Sequence, residues 1–222
     1  MVTLCWAAKG GSGTTVVAAA LALSSPRPSL LVDLDGEIPA VLGLADPDRP
    51  GVAEWLASDA SADHLAELLI DIGPRAWLLP WQAATSELGH GIITIDRAAR
   101  WATLGDWLHD WSNQWGCDVT IDVGTRIPPE SLTARAERSL LVTRPCYLSL
   151  RRAVRSNCRP TGVILVDEPG RSLGQRDVEH ALGVSVEAIV SLDPSVARAV
   201  DAGLLVGRLP RVMTRALRRA AA

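Results

Sequence analysis

The residues best placed to do chemistry are Lys9-Gly10-Gly11-Ser12-Gly13-Thr14-Thr15, a glycine-rich turn between an apolar run ending at Trp6 and the helix-forming run Val16-Val17-Ala18-Ala19-Ala20-Leu21-Ala22. Glycines let a backbone turn tightly and aim its N–H groups at one point, and the N-terminus of the following helix adds its positive dipole end. Such a loop binds phosphate; without further support it is also how an ordinary strand-to-helix turn is written. The support is three carboxylates. Asp33 and Asp35 close the apolar run Leu30-Leu31-Val32, and Asp122 closes Val119-Thr120-Ile121. A structural Asp at one strand end is common, whereas three strand-end carboxylates facing a phosphate loop point to a ligand at the carboxyl edge of a sheet.

Those residues need a scaffold of alternating strands and helices, and the chain supplies one. Seven short β-rich runs are expected at Val2–Trp6, Leu30–Leu34, Ala76–Leu79, Val119–Asp122, Leu140–Thr143, Val163–Val166 and Ala188–Leu192. Most are continuous Val/Ile/Leu stretches, as in parallel sheets covered on both faces. Helical patterns fill the gaps at Thr14–Ser24, Ala53–Leu56, Ala62–Ile70, Asp96–Trp115, Leu148–Asn157, Gln175–Leu182, Ser195–Ala202 and Val212–Ala221. Pro/Gly clusters mark the loops Asp46–Gly51, Ile127–Pro129 and Glu168–Gly170. The expected fold class is α/β, a mostly parallel twisted sheet with helices on both faces. No repeat or linker interrupts it, so residues 1–222 are read as one domain.

Composition agrees. With 222 residues, 48% of them hydrophobic, the chain can bury a substantial core without disulfides or metals. A net charge of -3 argues against a wholly basic nucleic-acid binder and leaves any electrostatic surface local. Cys5, Cys117, Cys146 and Cys158 contain no C-x-x-C pair, and His64, His90, His109 and His180 lack ligand spacing, so no zinc or redox site is assigned. The N-terminus has no basic leader and no apolar stretch nears the ~20 residues of a bilayer span, which predicts a cytoplasmic protein.

The chain resembles the ParA/MinD ATPases, whose phosphate loop reads K-G-G-x-G-K-[ST]. Lys9 to Thr15 match it except at Thr14, where that family carries a phosphate-binding lysine. Asp33-Leu34-Asp35 resembles the family's D-x-D, Asp118-Val119-Thr120-Ile121-Asp122 its Walker B strand, and Asp193-Pro194-Ser195-Val196-Ala197-Arg198-Ala199-Val200 the segment after its last strand. The resemblance implies ATP and Mg²⁺ as cofactors and a homodimer formed across the nucleotide. Lys9 would reach the partner's nucleotide, Gly10 to Thr15 would hold phosphate, and Asp33 and Pro194 would line the nucleotide. Thr15 would ligate Mg²⁺, Asp35 would position the attacking water and belong to the metal site, and Asp122 would hold the metal through a water. Loss of the lysine with the glycines kept is similar to the atypical CpaE/TadZ branch, which positions pilus and secretion machinery.

The function expected on that basis is a dimeric switch that localises another assembly, with hydrolysis slow or absent. A DNA-segregation ATPase gripping nonspecific DNA is the second reading, with residence at the nucleoid or a membrane surface, and a metabolic P-loop ligase or kinase is the third. Two amphipathic features bear on partners. Trp107, Trp111 and Trp115 recur every four residues with Leu104 and Leu108, making either core packing or a partner surface. In the tail from 208 to 221, Leu209, Val212, Met213, Ala216 and Leu217 oppose Arg211, Arg215, Arg218 and Arg219. That helix either packs on the sheet or binds anionic membrane or DNA.

Overall fold

The computed structural model describes residues 1–82 and 98–221. In chain order the elements are β1 (Val2–Trp6), α1 (Thr14–Ser24), β2 (Ser29–Asp33), α2 (Ile38–Leu42), α3 (Val52–Ala57), α4 (His64–Glu67), β3 (Ile70–Gly73), β4 (Ala76–Leu79) and α5 (Ala98–Trp115). There follow β5 (Asp118–Asp122), α6 (Glu130–Thr133), β6 (Arg138–Thr143), α7 (Tyr147–Arg155), β7 (Gly162–Asp167), α8 (Gln175–Leu182), β8 (Val186–Ser191), α9 (Pro194–Asp201) and α10 (Arg211–Leu217). The eight strands form one sheet in the order β3-β4-β2-β5-β1-β6-β7-β8, parallel throughout except for the β3–β4 pair.

Side chains alternate across a strand, so each apolar run feeds two cores. Cys5, Leu31, Leu78, Leu140, Val142, Ile164 and Val190 join one core with α1 and α10. Their neighbours Leu4, Trp6, Leu30, Val32, Leu79, Ile121 and Leu141 join the other with α3 and α5. Helix α1 is buried nearly all round, and its Ala18-Ala19-Ala20 run is what lets it sit close to the sheet under α2 and α10. That packing fixes the position of its N-terminus, where the phosphate loop ends.

The structure differs from expectation at three places. Ile70, expected to end a helix begun at Ala62, starts β3, because Ile70 and Ile72 alternate with polar neighbours and pair antiparallel with β4 (Ile70↔Leu78); the helix shrinks to α4. Helix α2 is unexpected: it is only five residues long, carries Pro39 in its first turn and ends at Gly43, too short for a period to show. Helix α6 is shorter still. His90 and the start of the helix expected at Asp96 lie outside the described residues.

The amphipathic segments both pack inward. Leu104 and Leu108 are fully buried, Trp107 and Trp111 partly, and Trp115 projects at 56% exposure; the three indoles form a tilted stack with centroids 5.1 and 5.6 Å apart. In α10, Met213 and Leu217 are buried against α1 and β8 while Arg211, Arg215, Arg218 and Arg219 face solvent. No described helix is long and apolar enough to cross a membrane.

Candidate functional site: a phosphate loop facing strand-end carboxylates

β1 is central, with β5 on one side and β6 on the other, so the chain departs in both directions from its carboxyl end. Ligands of open α/β sheets bind in the crevice such a reversal opens. The loop from Ala7 to Gly13 lies there. Ala7 N–H donates to the Gly124 carbonyl (2.8 Å), tying the loop's entry to the end of β5, and Ser12 Oγ donates to the Lys9 carbonyl (2.8 Å), closing the turn. Gly13 has φ 85°, a left-handed conformation costly for a side chain, and from it the Val17 N–H is captured at 2.9 Å to start α1. A Cβ at Gly10, Gly11 or Gly13 would meet no atom of the described residues within 4 Å, so among them the loop's face is open space of the kind a phosphate fills. No acidic residue stands in the first turn of α1 to cancel its dipole.

The residues assigned to phosphate divide by position. Ser12 and Thr14 are buried, Thr15 half-buried, and Gly10 and Gly11 exposed. Lys9 reaches outward along the rim, its Nζ donating to the Gly10 carbonyl at 3.2 Å. Thr14, where the resembling family has lysine, brings no charge to the loop.

The carboxylates have three different environments. Asp33 is fully buried and both its oxygens are engaged: Oδ1 accepts from the N–H of Asp35 (3.0 Å) and Gly36 (2.7 Å), Oδ2 from Ile38 (3.2 Å). It therefore builds the turn that carries Asp35 into α2. Burial lifts its pKa to about 6 despite those bonds. Asp122 is also fully buried, but only Oδ1 is bonded, to Gly124 N–H at 3.0 Å; Oδ2 has no hydrogen-bond partner among the described residues. Burial, and then the negative charge of Asp33, push its pKa from 3.8 to about 7, with the Gly124 N–H and the Thr15 hydroxyl pulling the other way. Asp35 is a quarter exposed and stands 3.7 Å from Arg126 Nε. Gly124, at φ +60°, leaves the space in which Asp35 sits, since a Cβ there would overlap its carboxyl group.

Asp122 and Thr15 thus lie together under the loop with a buried oxygen short of a positive partner. Hard oxygen donors of this kind suit Mg²⁺, which is usually held by one or two carboxylates with substrate phosphates and water completing the shell. The donor set fits that ion. Pro194 stands apart from this cluster, exposed at the start of α9 after β8, three strands from β1. At ~4.8 Å per strand that is about 14 Å, beyond the phosphate region. Asp193 caps α9 by accepting from Ser195 N–H at 2.7 Å.

Sequence reasoning did not single out Arg126 or Trp81. Arg126 lies two residues beyond Gly124, its guanidinium carbon 5.2 Å from the centre of the Trp81 ring, and Trp81 in turn lies 3.5 Å from where a Gly36 Cβ would be. The signal available was only proximity in sequence to Asp122.

No protein-family model and no curated protein matches the chain. Solved structures do. A ParA family ATPase from Chlorobium tepidum is 18% identical, with 99% of this chain and 98% of that one superposed at a TM-score of 0.71. The septum site-determining protein MinD of Pyrococcus horikoshii, complexed with Mg-ADP, is 20% identical over 99% and 93% of the two chains (TM-score 0.72). Apo McdA of Cyanothece is 16% identical over 100% and 99% (TM-score 0.73). At that identity the likeness is one of architecture, and over its whole length this chain has the fold of the ParA/MinD P-loop ATPases.

Proposed function

We propose that this chain is an ATP-binding, ParA/MinD-like dimeric switch that localises a cellular assembly, with weak or absent hydrolysis. The observation that carries the reading is Asp122, a buried carboxylate with one oxygen lacking a hydrogen-bond partner among the described residues, placed beneath a glycine loop whose face is open among those residues. Gly10, Gly11, Gly13 and the N-terminus of α1 hold phosphate through backbone N–H groups, and Thr15 and Asp122 hold Mg²⁺. Asp35 orients water at the terminal phosphate, Lys9 acts on the partner's nucleotide across the dimer, and Pro194 borders the base. Bound Mg²⁺ supplies charge neutralisation to the phosphates.

Slow turnover follows from Thr14. A lysine ammonium ~4 Å from a phosphate oxygen contributes roughly 4 kcal/mol gross at an effective dielectric of ~20, which a hydroxyl cannot replace. The lost lysine, kept glycines and similarity to the CpaE/TadZ branch direct the output toward pilus or secretion machinery. The solvent-facing arginines of α10 favour a second reading, a DNA-segregation ATPase. Because Met213 and Leu217 are already used inside the chain, the arginines offer charge rather than an apolar face to any anionic surface.

Titration calorimetry and sedimentation velocity test the reading. Wild type binds ATP with Mg²⁺ and dimerises with ATP but not ADP; Lys9→Ala binds ATP but stays monomeric. A wild-type chain that binds neither nucleotide refutes it.

A further inference from the structure

The loop carries no positive charge at Thr14, and among the described residues Lys9, Arg126, Arg144 and Arg171 stand near the carboxyl edge of the central strands. Lys9 lies on the rim with its ammonium on the Gly10 carbonyl. Arg144 and Arg171 both pair with Glu168 beyond β7, on the side away from Asp35. Arg126 is on the β5–β2 side, where Asp122 and Asp35 lie. Its backbone is pinned: Arg126 N–H donates to the Val123 carbonyl at 3.2 Å, and the adjoining Gly124 carbonyl holds the loop's entry through Ala7. Its head group is not. The 3.7 Å separation of Nε from Asp35 Oδ1 is an ion pair too long to be a hydrogen bond, and among the described residues the guanidinium is otherwise steered by the Trp81 ring, 5.2 Å away, with a third of the side chain exposed.

We propose that Arg126 supplies the positive charge to the terminal phosphate of bound nucleotide that a lysine at position 14 would otherwise provide. The assignment rests on the nucleotide-switch reading above. A guanidinium is a planar fork that meets phosphate oxygens in pairs, so a loosely held arginine at the loop's mouth exchanges one distant carboxylate oxygen for two close phosphate oxygens. Trp81 keeps the stem aligned in both positions. Arg126 therefore distinguishes a nucleoside triphosphate from a diphosphate, because only the former extends a phosphate past the loop.

Calorimetric titration with ATP and with ADP, each with Mg²⁺, on wild type, Arg126→Gln, Arg126→Lys and the Thr14→Lys/Arg126→Gln double variant tests this. Loss of a charge-assisted contact predicts roughly ten- to hundredfold weaker ATP binding by Arg126→Gln, with ADP affinity changed less than about threefold. Arg126→Lys retains part of the ATP affinity, and Thr14→Lys restores it in the Gln background. Thermal melts of each variant report folding, and the restored double variant shows that the Gln chain is intact. Unchanged ATP affinity in Arg126→Gln, or equal losses for ATP and ADP, overturns the assignment while leaving the nucleotide switch standing. A wild-type protein that binds neither nucleotide overturns both.

Discussion

Replacing Asp122 by Asn separates what this carboxylate costs the empty protein from what it contributes to the loaded one. Burial and the charge of Asp33 move its pKa from 3.8 to about 7, which corresponds to about 4 kcal/mol against the ionised form. A group whose folded pKa is raised binds more protons in the folded state, so the stability it confers is complete below pH ~4 and drains as pH rises toward 7. Between pH 5 and 8 the nucleotide-free wild type should lose about 2.5 kcal/mol from this group. Asn keeps an oxygen for the Gly124 N–H and places an amide where Oδ2 lacks a partner, beside Thr15. Desolvation of the amide cancels about half the advantage, leaving Asp122→Asn about 2 kcal/mol more stable than wild type at pH 8, a rise in Tm of roughly 4–8 °C for a chain this long.

With Mg²⁺ and ATP the order inverts. A ligand at a hundred times its Kd stabilises wild type by about 2.7 kcal/mol, and a variant without the carboxylate proposed to hold the metal should gain little. The assay is urea denaturation of both proteins at pH 5 and pH 8, with and without Mg·ATP. Asp33, lifted to about 6, gives both proteins the same slope at lower pH. A nucleotide-free Asp122→Asn less stable than wild type at pH 8, or a wild type equally stable at pH 5 and 8, refutes the account of a carboxylate held unpartnered for a cation.

Gly124→Ala should destabilise by roughly 1–3 kcal/mol in urea titration, because the new methyl meets the Asp35 carboxyl from a left-handed backbone. In the tail, changing Arg211, Arg215, Arg218 and Arg219 together to Gln should leave stability within about 0.5 kcal/mol while removing any salt-sensitive DNA binding measured by fluorescence anisotropy. Leu217→Ala, by contrast, should cost about 2–5 kcal/mol, since Leu217 is fully buried between α1 and β8. Measured by calorimetry, Thr14→Lys should tighten ATP binding less in the wild-type background, where Arg126 already supplies a charge, than in Arg126→Gln, and should raise phosphate release, with Asp35→Ala removing the latter gain.

What could be read from sequence follows from how far each feature reaches along the chain. The runs that became β1, β2, β5, β6 and β7 are apolar on both faces, and that continuity is itself the mark of a covered parallel sheet. β3 escaped because it offers only Ile70 and Ile72, two apolar residues trailing a helical pattern, and its pairing is decided by β4 across a tight turn. The glycine turn between β1 and α1 and the place of Asp122 at the end of β5 were legible because each lies next to a continuous apolar strand. Asp33 and Asp35 were not separable, since both end the same strand and only the fold-back of residues 35–38 onto the Asp33 oxygens distinguishes the builder of the turn from the residue it presents. Arg126 and Trp81 come from different strand ends, and no period joins them.

The amphipathic tail shows why pattern alone does not choose a partner. Apolar residues on one side and arginines on the other describe a helix on a membrane as well as one on a sheet. The choice is made by β8, an edge strand whose Ala188 and Val190 need a cover and receive one from Met213 and Leu217. Once that face is spent, lipid insertion would require α10 to leave the core and expose those side chains, at about 1.5–3 kcal/mol each. Binding through the arginines requires no such release. The Arg face and the nucleotide site also share a scaffold, because α10 packs on α1, the helix whose N-terminus closes the phosphate loop. On the proposed reading, a shift of α1 on phosphate binding would reach the arginines through that contact, which is the physical requirement for a nucleotide to govern an anionic contact there.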